Sequence, residues 1–142
     1  MPESLKDQIV RHEGLRLKPY KDSVGKLTIG VGRNLDDNGI SKSEAMLMLD
    51  NDILTATVEL NIALPWTMDL DWPRRAVLIN MTFNMGMTRL LGFQDTLAAI
   101  QDGHWQKAHD HMLASKWARQ VGPRAIELSR IMLSGEMPEG DK

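Results

Sequence analysis

Apolar residues recur along this chain with two different spacings, and each spacing predicts a different kind of element. Leu5 and Ile9 lie four residues apart, as on one face of a helix. Ser4 with Asp7 resembles a capping box at its start, and Gly14 is typical of the residue that follows a helix end. The pattern predicts a short helix before Gly14.

The spacing then changes from four residues to two. Residues 15–18 and 27–32 alternate between apolar side chains and polar or glycine positions, which predicts two strands and a hairpin with an apolar face. The sequence Asp22-Ser-Val-Gly25 between them has turn chemistry. Gly30 and Gly32 favour either a bulge or a surface that something approaches closely. They lack the third glycine of a dinucleotide fingerprint, so nucleotide binding is not expected.

The remainder of the chain reads as helices. A loop at 34–39 precedes a capping box, Ser41 with Glu44, and an apolar period that continues without glycine or proline up to Pro65. About 20 residues of helix would be about 30 Å long, which suits a connection between two lobes. Further helices are predicted at 73–85, 88–91, 93–102, 104–114, 115–120 and 123–133, with a loose tail from residue 134.

These elements predict an α+β fold that is mostly helical, with a small hairpin lobe before a long helix and a larger helical lobe. The length of 142 residues is that of a single domain, 1–142. The chain is 42% hydrophobic and 25% charged, with a formal charge of −2, so composition does not indicate a nucleic-acid binder. The acidity is concentrated in the middle of the chain, which leaves both flanks slightly basic.

The sequence also excludes some chemistry. Without cysteines there is no disulfide framework and no thiol chemistry. The polar N-terminus has no apolar core of a secretory signal, and no apolar run has the length of a membrane span. We therefore expect that another agent must release the protein if its substrate lies outside the cytoplasm.

The stretch 13–32 carries the clearest candidate chemistry. Glu13 ends the first helix, Asp22 lies at the start of the turn, and Thr28 lies in the returning strand. Cleavage of an acetal bond requires one carboxyl group as proton donor and a second carboxylate beside it. Glu13 would need desolvation or a shaped environment to keep its proton near neutral pH. The alternative for Glu13 is an exposed side chain at a helix end with no chemical role.

Three histidines lie close together in the sequence, at His104, His109 and His111. Their spacing does not place three rings on one helical face, and no glutamate stands four residues from any of them in a metal-binding pattern. We expect neither a metal site nor a cofactor.

The stretch EGLRLKPYKDSVGKLTIGVG at 13–32 resembles the active-site segment of phage-type lysozymes, the endolysin class found in T-even phages. Further matches follow in the family's order: RRAVLINMTFNMG at 74–86, LGFQDTL at 91–97 and SKWARQVGPRA at 115–125. The resemblance covers almost the whole chain. It implies a two-lobed lysozyme-like fold, with a catalytic lobe at about 13–60, a helical lobe at about 61–142, and helix 4–13 packed on the helical lobe.

The resemblance also implies an activity and a set of residues. The activity is hydrolysis of the β-1,4 bond between N-acetylmuramic acid and N-acetylglucosamine in peptidoglycan, with inversion. Glu13 matches the general acid, Asp22 the second carboxylate and Thr28 the threonine that helps to hold the attacking water. Substrate-binding positions carried over are Arg33, Leu35, Phe83, Thr96 and His111. Supporting positions are Gly30 and Arg124, the latter matching an arginine that pairs with the catalytic glutamate.

This chain departs from the T-even enzyme at three places. Arg33 replaces a histidine, so that enzyme's buried His–Asp pair is not expected. The loop 34–40 is shorter and is expected to lack a small helix. His111 replaces an asparagine that touches substrate.

Two other functions stay open at this point. A lytic transglycosylase needs one catalytic glutamate and makes an anhydro product, and a non-catalytic wall-binding domain of this fold would be expected to lose Glu13. For the muramidase, the expected partners are peptidoglycan glycan strands and a separate holin-type pore that releases the protein. We expect a monomer in the host cytoplasm before lysis that acts on the periplasmic wall, with no nucleic acid and no stable membrane association.

Overall fold

The computed structural model describes residues 1–140, and the chain divides into two compact units, Met1–Met48 and Leu49–Lys142. Residues 141 and 142, which belong to the tail predicted to be loose, lie outside the described residues. Residues 136–140 of that tail adopt no helix or strand.

The first unit begins with helix α1, Leu5–Glu13, as the sequence predicts. The hydroxyl oxygen of Ser4 accepts the backbone N–H of Asp7 at 3.1 Å, which satisfies one of the unpaired donors of the first turn. Gly14 ends the helix with φ +78°, a conformation that side chains other than glycine rarely adopt.

A three-stranded antiparallel sheet follows, in the order β1, Arg16–Lys21; β2, Leu27–Gly30; and β3, Arg33–Asn34. The hairpin of β1 and β2 is confirmed, whereas the two-residue strand β3 was not predicted. Leu17, on the predicted apolar face, is 82% exposed, but Thr28 is only 3% exposed. Thr28 can be buried because its hydroxyl group donates to the carbonyl oxygen of Lys26 at 2.9 Å.

One turn of helix, α2, occupies Leu35–Asn38, so the expectation that a small helix is absent from this loop is wrong. The turn forms because the Asn34 side chain caps it by accepting the N–H of Asp37 at 2.9 Å. Asp36 in turn accepts the backbone N–H of Leu27 at 2.7 Å. The short loop therefore holds the start of the strand that carries Thr28.

Helix α3, Lys42–Ala63, is 22 residues long and confirms the predicted long helix. Its capping box is formed in both directions: Glu44 N–H donates to the Ser41 hydroxyl at 3.1 Å, and Ser41 N–H donates to the Glu44 carboxylate at 2.9 Å. Neither this helix nor any other within residues 1–140 is both long and apolar enough to cross a membrane.

The second unit is helical up to Ser134 apart from short connections, and the predicted helices are found within a residue or two of their expected bounds. A 3-10 turn at Pro65–Asp69 precedes them. They are α4, Trp72–Met85; α5, Met87–Leu91; α6, Gln94–Gln101; α7, Trp105–Leu113; α8, Lys116–Val121; and α9, Pro123–Ser134.

The hydrophobic core lies entirely in this second unit, between Ala56 and Met132. Arg74 joins three of its helices, since its guanidinium donates to the carbonyl oxygen of Met132 at 2.8 Å and lies 3.9 Å over the ring of Trp105. Carbonyl groups at a helix end lack partners within the helix, so Arg74 of α4 satisfies the end of α9.

Candidate active site

The carboxyl group of Glu13 lies directly against the backbone of Gly32. A Cβ atom at Gly32 would be 3.0 Å from Oε2 of Glu13 and 3.3 Å from its carboxyl carbon. The end of α1 and the turn after β2 therefore meet at this point, and a side chain at residue 32 would press on the Glu13 carboxyl group. Glu13 is exposed, so of the two means predicted for keeping its proton, desolvation or a shaped environment, burial does not supply the first.

Asp22 and Thr28 are joined through one residue, Lys26. Oδ1 of Asp22 accepts the backbone N–H groups of Val24 at 3.0 Å and Lys26 at 2.9 Å. The carbonyl oxygen of Lys26 accepts both the N–H of Asp22 and the hydroxyl of Thr28, each at 2.9 Å. The turn thus fixes the second carboxylate and the hydroxyl relative to each other.

These bonds determine what each group can still do. Oδ1 of Asp22 accepts hydrogen bonds from two backbone N–H groups, as an ionised carboxylate does readily, and Oδ2 takes part in neither of them. The Thr28 hydroxyl gives its hydrogen to Lys26, so its oxygen is left to accept a hydrogen bond, for example from a water molecule.

Arg33 lies in β3, and its side chain is directed to the start of α3. Its guanidinium donates to Glu44 at 2.7 Å and to the carbonyl oxygen of Gly39 at 3.3 Å. The hydrogen bond from Arg33, with those from Ser41, lowers the pKa of Glu44 from 4.5 to about 2. Leu35, the other substrate-binding position predicted in this unit, begins α2 and is half-buried.

In the second unit, Phe83 and Arg124 line the same pocket of about 320 Å³. Phe83 is 44% exposed, and the pocket is otherwise mostly apolar. Arg124 donates two hydrogen bonds, at 3.0 and 2.6 Å, to the side-chain oxygen of Asn80. Asn80 is thus the partner that the structure gives to Arg124, and the predicted pairing with Glu13 stays a prediction.

Thr96 and His111 line another pocket of the second unit, of about 460 Å³. Thr96 is 4% exposed, and His111 is half-buried. The aromatic pair Phe93 and Trp117 also lines this pocket, with ring planes at 82°. The structure therefore groups two of the predicted substrate-binding residues.

Sequence reasoning missed Lys26, Asn80 and Asn84. Asn80 and Asn84 stand four residues apart on α4, where each accepts a hydrogen bond from a later helix, Asn84 from the indole N–H of Trp117 at 2.8 Å. Two amides four residues apart in the mostly apolar stretch 76–85 were the available signal. Nothing in the sequence marks the backbone of Lys26.

Residues 10–130 match the family model described as Phage lysozyme. The chain is 29% identical to "Probable T4-type lysozyme 1" of Dictyostelium discoideum over 166 residues. This alignment covers 96% of this chain and 98% of that protein.

Two phage proteins are also similar. The pre-baseplate central spike protein Gp5 of Enterobacteria phage T4 is 29% identical over 164 residues, covering 94% of this chain and 28% of the spike protein. The SAR-endolysin of Escherichia phage Mu is 24% identical over 138 residues, covering 89% of this chain and 78% of the relative.

Proposed function

This chain belongs to the phage lysozyme family, a family of glycoside hydrolases, and we propose that it hydrolyses the β-1,4 bond between N-acetylmuramic acid and N-acetylglucosamine in bacterial peptidoglycan. The observation that carries the proposal is the similarity to this family, which spans residues 10–130. That range contains two carboxylates and a hydroxyl group, which lie at one helix end and on one hairpin. The acid is accessible from solvent, as a group that meets a polymer must be.

In the proposed mechanism, Glu13 donates its proton to the glycosidic oxygen as the bond breaks. Asp22, held by two backbone N–H groups, stabilises the positive charge that develops on the sugar ring. Thr28 accepts a hydrogen bond from the attacking water, since its own hydrogen is held by Lys26. A water that attacks the face opposite the leaving group bonds to the anomeric carbon and inverts it, and the proton that this water loses passes to the Asp22 carboxylate.

The first test is lysis by active-site variants. Turbidity clearing of chloroform-treated Gram-negative cells should fall by about 100-fold or more for Glu13→Gln, because general acid catalysis contributes about that much. Asp22→Asn should also lose most activity. Glu59→Gln, an exposed glutamate of α3, is the matched control and should clear as the wild type does. Wild-type clearing by Glu13→Gln would disprove the assignment.

The products separate hydrolysis from the alternatives. Mass analysis of released muropeptides should show reducing ends, whereas anhydro ends would indicate a lytic transglycosylase. Binding to the wall without release of fragments would indicate a non-catalytic domain. Proton NMR of the first product formed should show the anomer opposite to that of the substrate, and a retained anomer would contradict inversion.

We also propose that the protein is an endolysin that acts in host lysis and reaches the wall through a separate pore protein. The support is similarity to proteins named endolysin, such as that of Acyrthosiphon pisum secondary endosymbiont phage 1, which is 36% identical over 86 residues that cover 56% of this chain and 56% of that protein. Expression in Escherichia coli should leave cells intact until a pore protein is co-expressed. Lysis without the pore would contradict this route.

A further inference from the structure

The turn between β2 and β3 is the surface on which the Glu13 carboxyl group rests. Val31 and Gly32 connect Gly30, the last residue of β2, to Arg33, which pairs with Ile29 in the antiparallel register. Both glycines have φ +70°, so the turn is tightly bent. Because the closest approach to Glu13 is at Gly32, a shift of this turn would change the position of the carboxyl group.

Arg33 anchors the end of that turn. Its guanidinium reaches Oε1 of Glu44, and the same oxygen accepts the backbone N–H of Ser41 at 2.9 Å. One carboxylate oxygen therefore connects β3 with the first turn of α3. The second hydrogen bond of Arg33, to the carbonyl of Gly39, fastens the intervening loop as well.

We propose that Arg33 is a positioning residue for the general acid: its ion pair with Glu44 holds the Gly30–Gly32 turn in the place where Gly32 supports the carboxyl group of Glu13. The inference rests on the proposed function and differs from the substrate contact that the family resemblance implies for this position. The Arg33 side chain is 40% exposed, and its NH1 donates to two protein oxygens, one on Gly39 and one on Glu44.

This role predicts a specific kinetic effect. Displacing a reacting group by about 1 Å can lower turnover by about 100-fold without removing any contact with the substrate. Loss of the ion pair should therefore lower kcat and leave KM nearly unchanged. A residue that binds the sugar in the ground state would instead raise KM at an unchanged kcat.

A double-mutant cycle tests the proposal on purified glycan strands with Arg33→Met, Glu44→Gln and both together. Each single change should lower kcat by about tenfold, with KM within about twofold. The double variant should be no slower than the slower single variant, because both changes break one interaction. Arg33→Lys, which can still reach Glu44, should recover part of the loss. Additive losses, or a KM effect at unchanged kcat, would overturn the proposal.

The basic limb of the pH–activity profile gives a further readout, since it reports loss of the proton from the general acid. The pH at which activity falls on this limb should differ from that of the wild type in Arg33→Met and Glu44→Gln, and it should return toward the wild-type value in Arg33→Lys. A merely structural role would lower active enzyme at all pH values without moving the limb. An unmoved limb would count against the proposal.

An NMR measurement keeps the proposal testable apart from activity. The amide signal of Gly32 should shift in Arg33→Met and Glu44→Gln, the carboxyl carbon of Glu13 should shift with it, and both shifts should be smaller in Arg33→Lys. Glu59→Gln should move neither signal. If wild type cleaves no glycan, the proposed function fails, while unshifted Gly32 and Glu13 signals would refute the positioning role whether or not the protein is active.

Discussion

Gly32 is a residue whose identity depends on two separate constraints, one on its backbone and one on its surroundings. Its φ of +70° disfavours any side chain, and its missing Cβ makes room for Oε2 of Glu13. Gly30 has the same φ, but a Cβ there would meet nothing within 4 Å. The two glycines therefore allow the effect of strain to be separated from the effect of contact.

Gly32→Ala should lower both stability and activity. Placing alanine at a left-handed position costs about 1–2 kcal/mol, which thermal melting would measure as a lower Tm. The added methyl group would also displace the Glu13 carboxyl, so kcat should fall by about tenfold or more.

Gly30→Ala is the matched variant, because it carries the same strain without the contact. It should show a similar loss of Tm and a clearly smaller loss of kcat. Equal losses of kcat in the two variants would mean that backbone strain, or crowding beside Thr28, limits activity instead of the contact with Glu13.

The sequence predicted on which element each candidate residue lies more completely than it predicted which groups its side chain contacts. The motif residues Asp22 and Thr28 could be placed on a turn and a strand from local spacing alone. The partners of side chains could not, because they depend on contacts between segments that are far apart in sequence. Arg124 is the example: its bond to Asn80 joins two residues 44 positions apart in the sequence, and no local pattern encodes that contact.

At the scale of elements, helix ends were predicted well because capping residues, glycine and proline act locally. Ser41 with Glu44 began α3 as expected, and Gly86 ended α4. The helix that the sequence did not predict is α2, whose four residues resemble a loop. A helix of one turn has no apolar period to detect, and it is held by single hydrogen bonds such as that from Leu27 to Asp36.

The cap of α3 should make stability depend on pH. The pKa of Glu44 is lowered from 4.5 to about 2 by Arg33 and Ser41. A carboxyl group whose pKa is lower in the folded state stabilises the fold at pH values above 4.5, and this contribution is lost as the pH falls toward about 2. Glu44→Gln should therefore melt below wild type at pH 7, and the difference should shrink between pH 4.5 and about 2.

Glu59→Gln, also on α3 and exposed, is the control for that titration. Its difference in Tm from wild type should be small and should not converge over the same range. A Glu44→Gln difference that stays constant down to pH 2 would mean that the ion pair with Arg33 does not form in solution.

At the scale of the whole molecule, the two units are stabilised in different ways. The 17 buried hydrophobic residues found within residues 1–140 all lie between Ala56 and Met132. In the first unit, Thr28 is the only buried side chain of residues 1–48, and the unit relies on caps, turns and a small sheet. Fold class and helix order could be predicted because the apolar period marks the helices of the second unit, whereas the first unit buries no hydrophobic side chain within residues 1–48.

This asymmetry predicts how fragments behave. A fragment of residues 42–142, which keeps α3 whole, contains the complete core and should unfold cooperatively on heating, at a Tm below that of the full chain. A fragment of residues 1–48 should give a circular dichroism spectrum of a largely unfolded chain, because a short chain without a core cannot offset its conformational entropy. Far-UV circular dichroism melts of both fragments and the full chain measure this. If 42–142 melts without a cooperative transition, the core of the second unit is not sufficient to specify its fold, and the first unit must contribute to its stability.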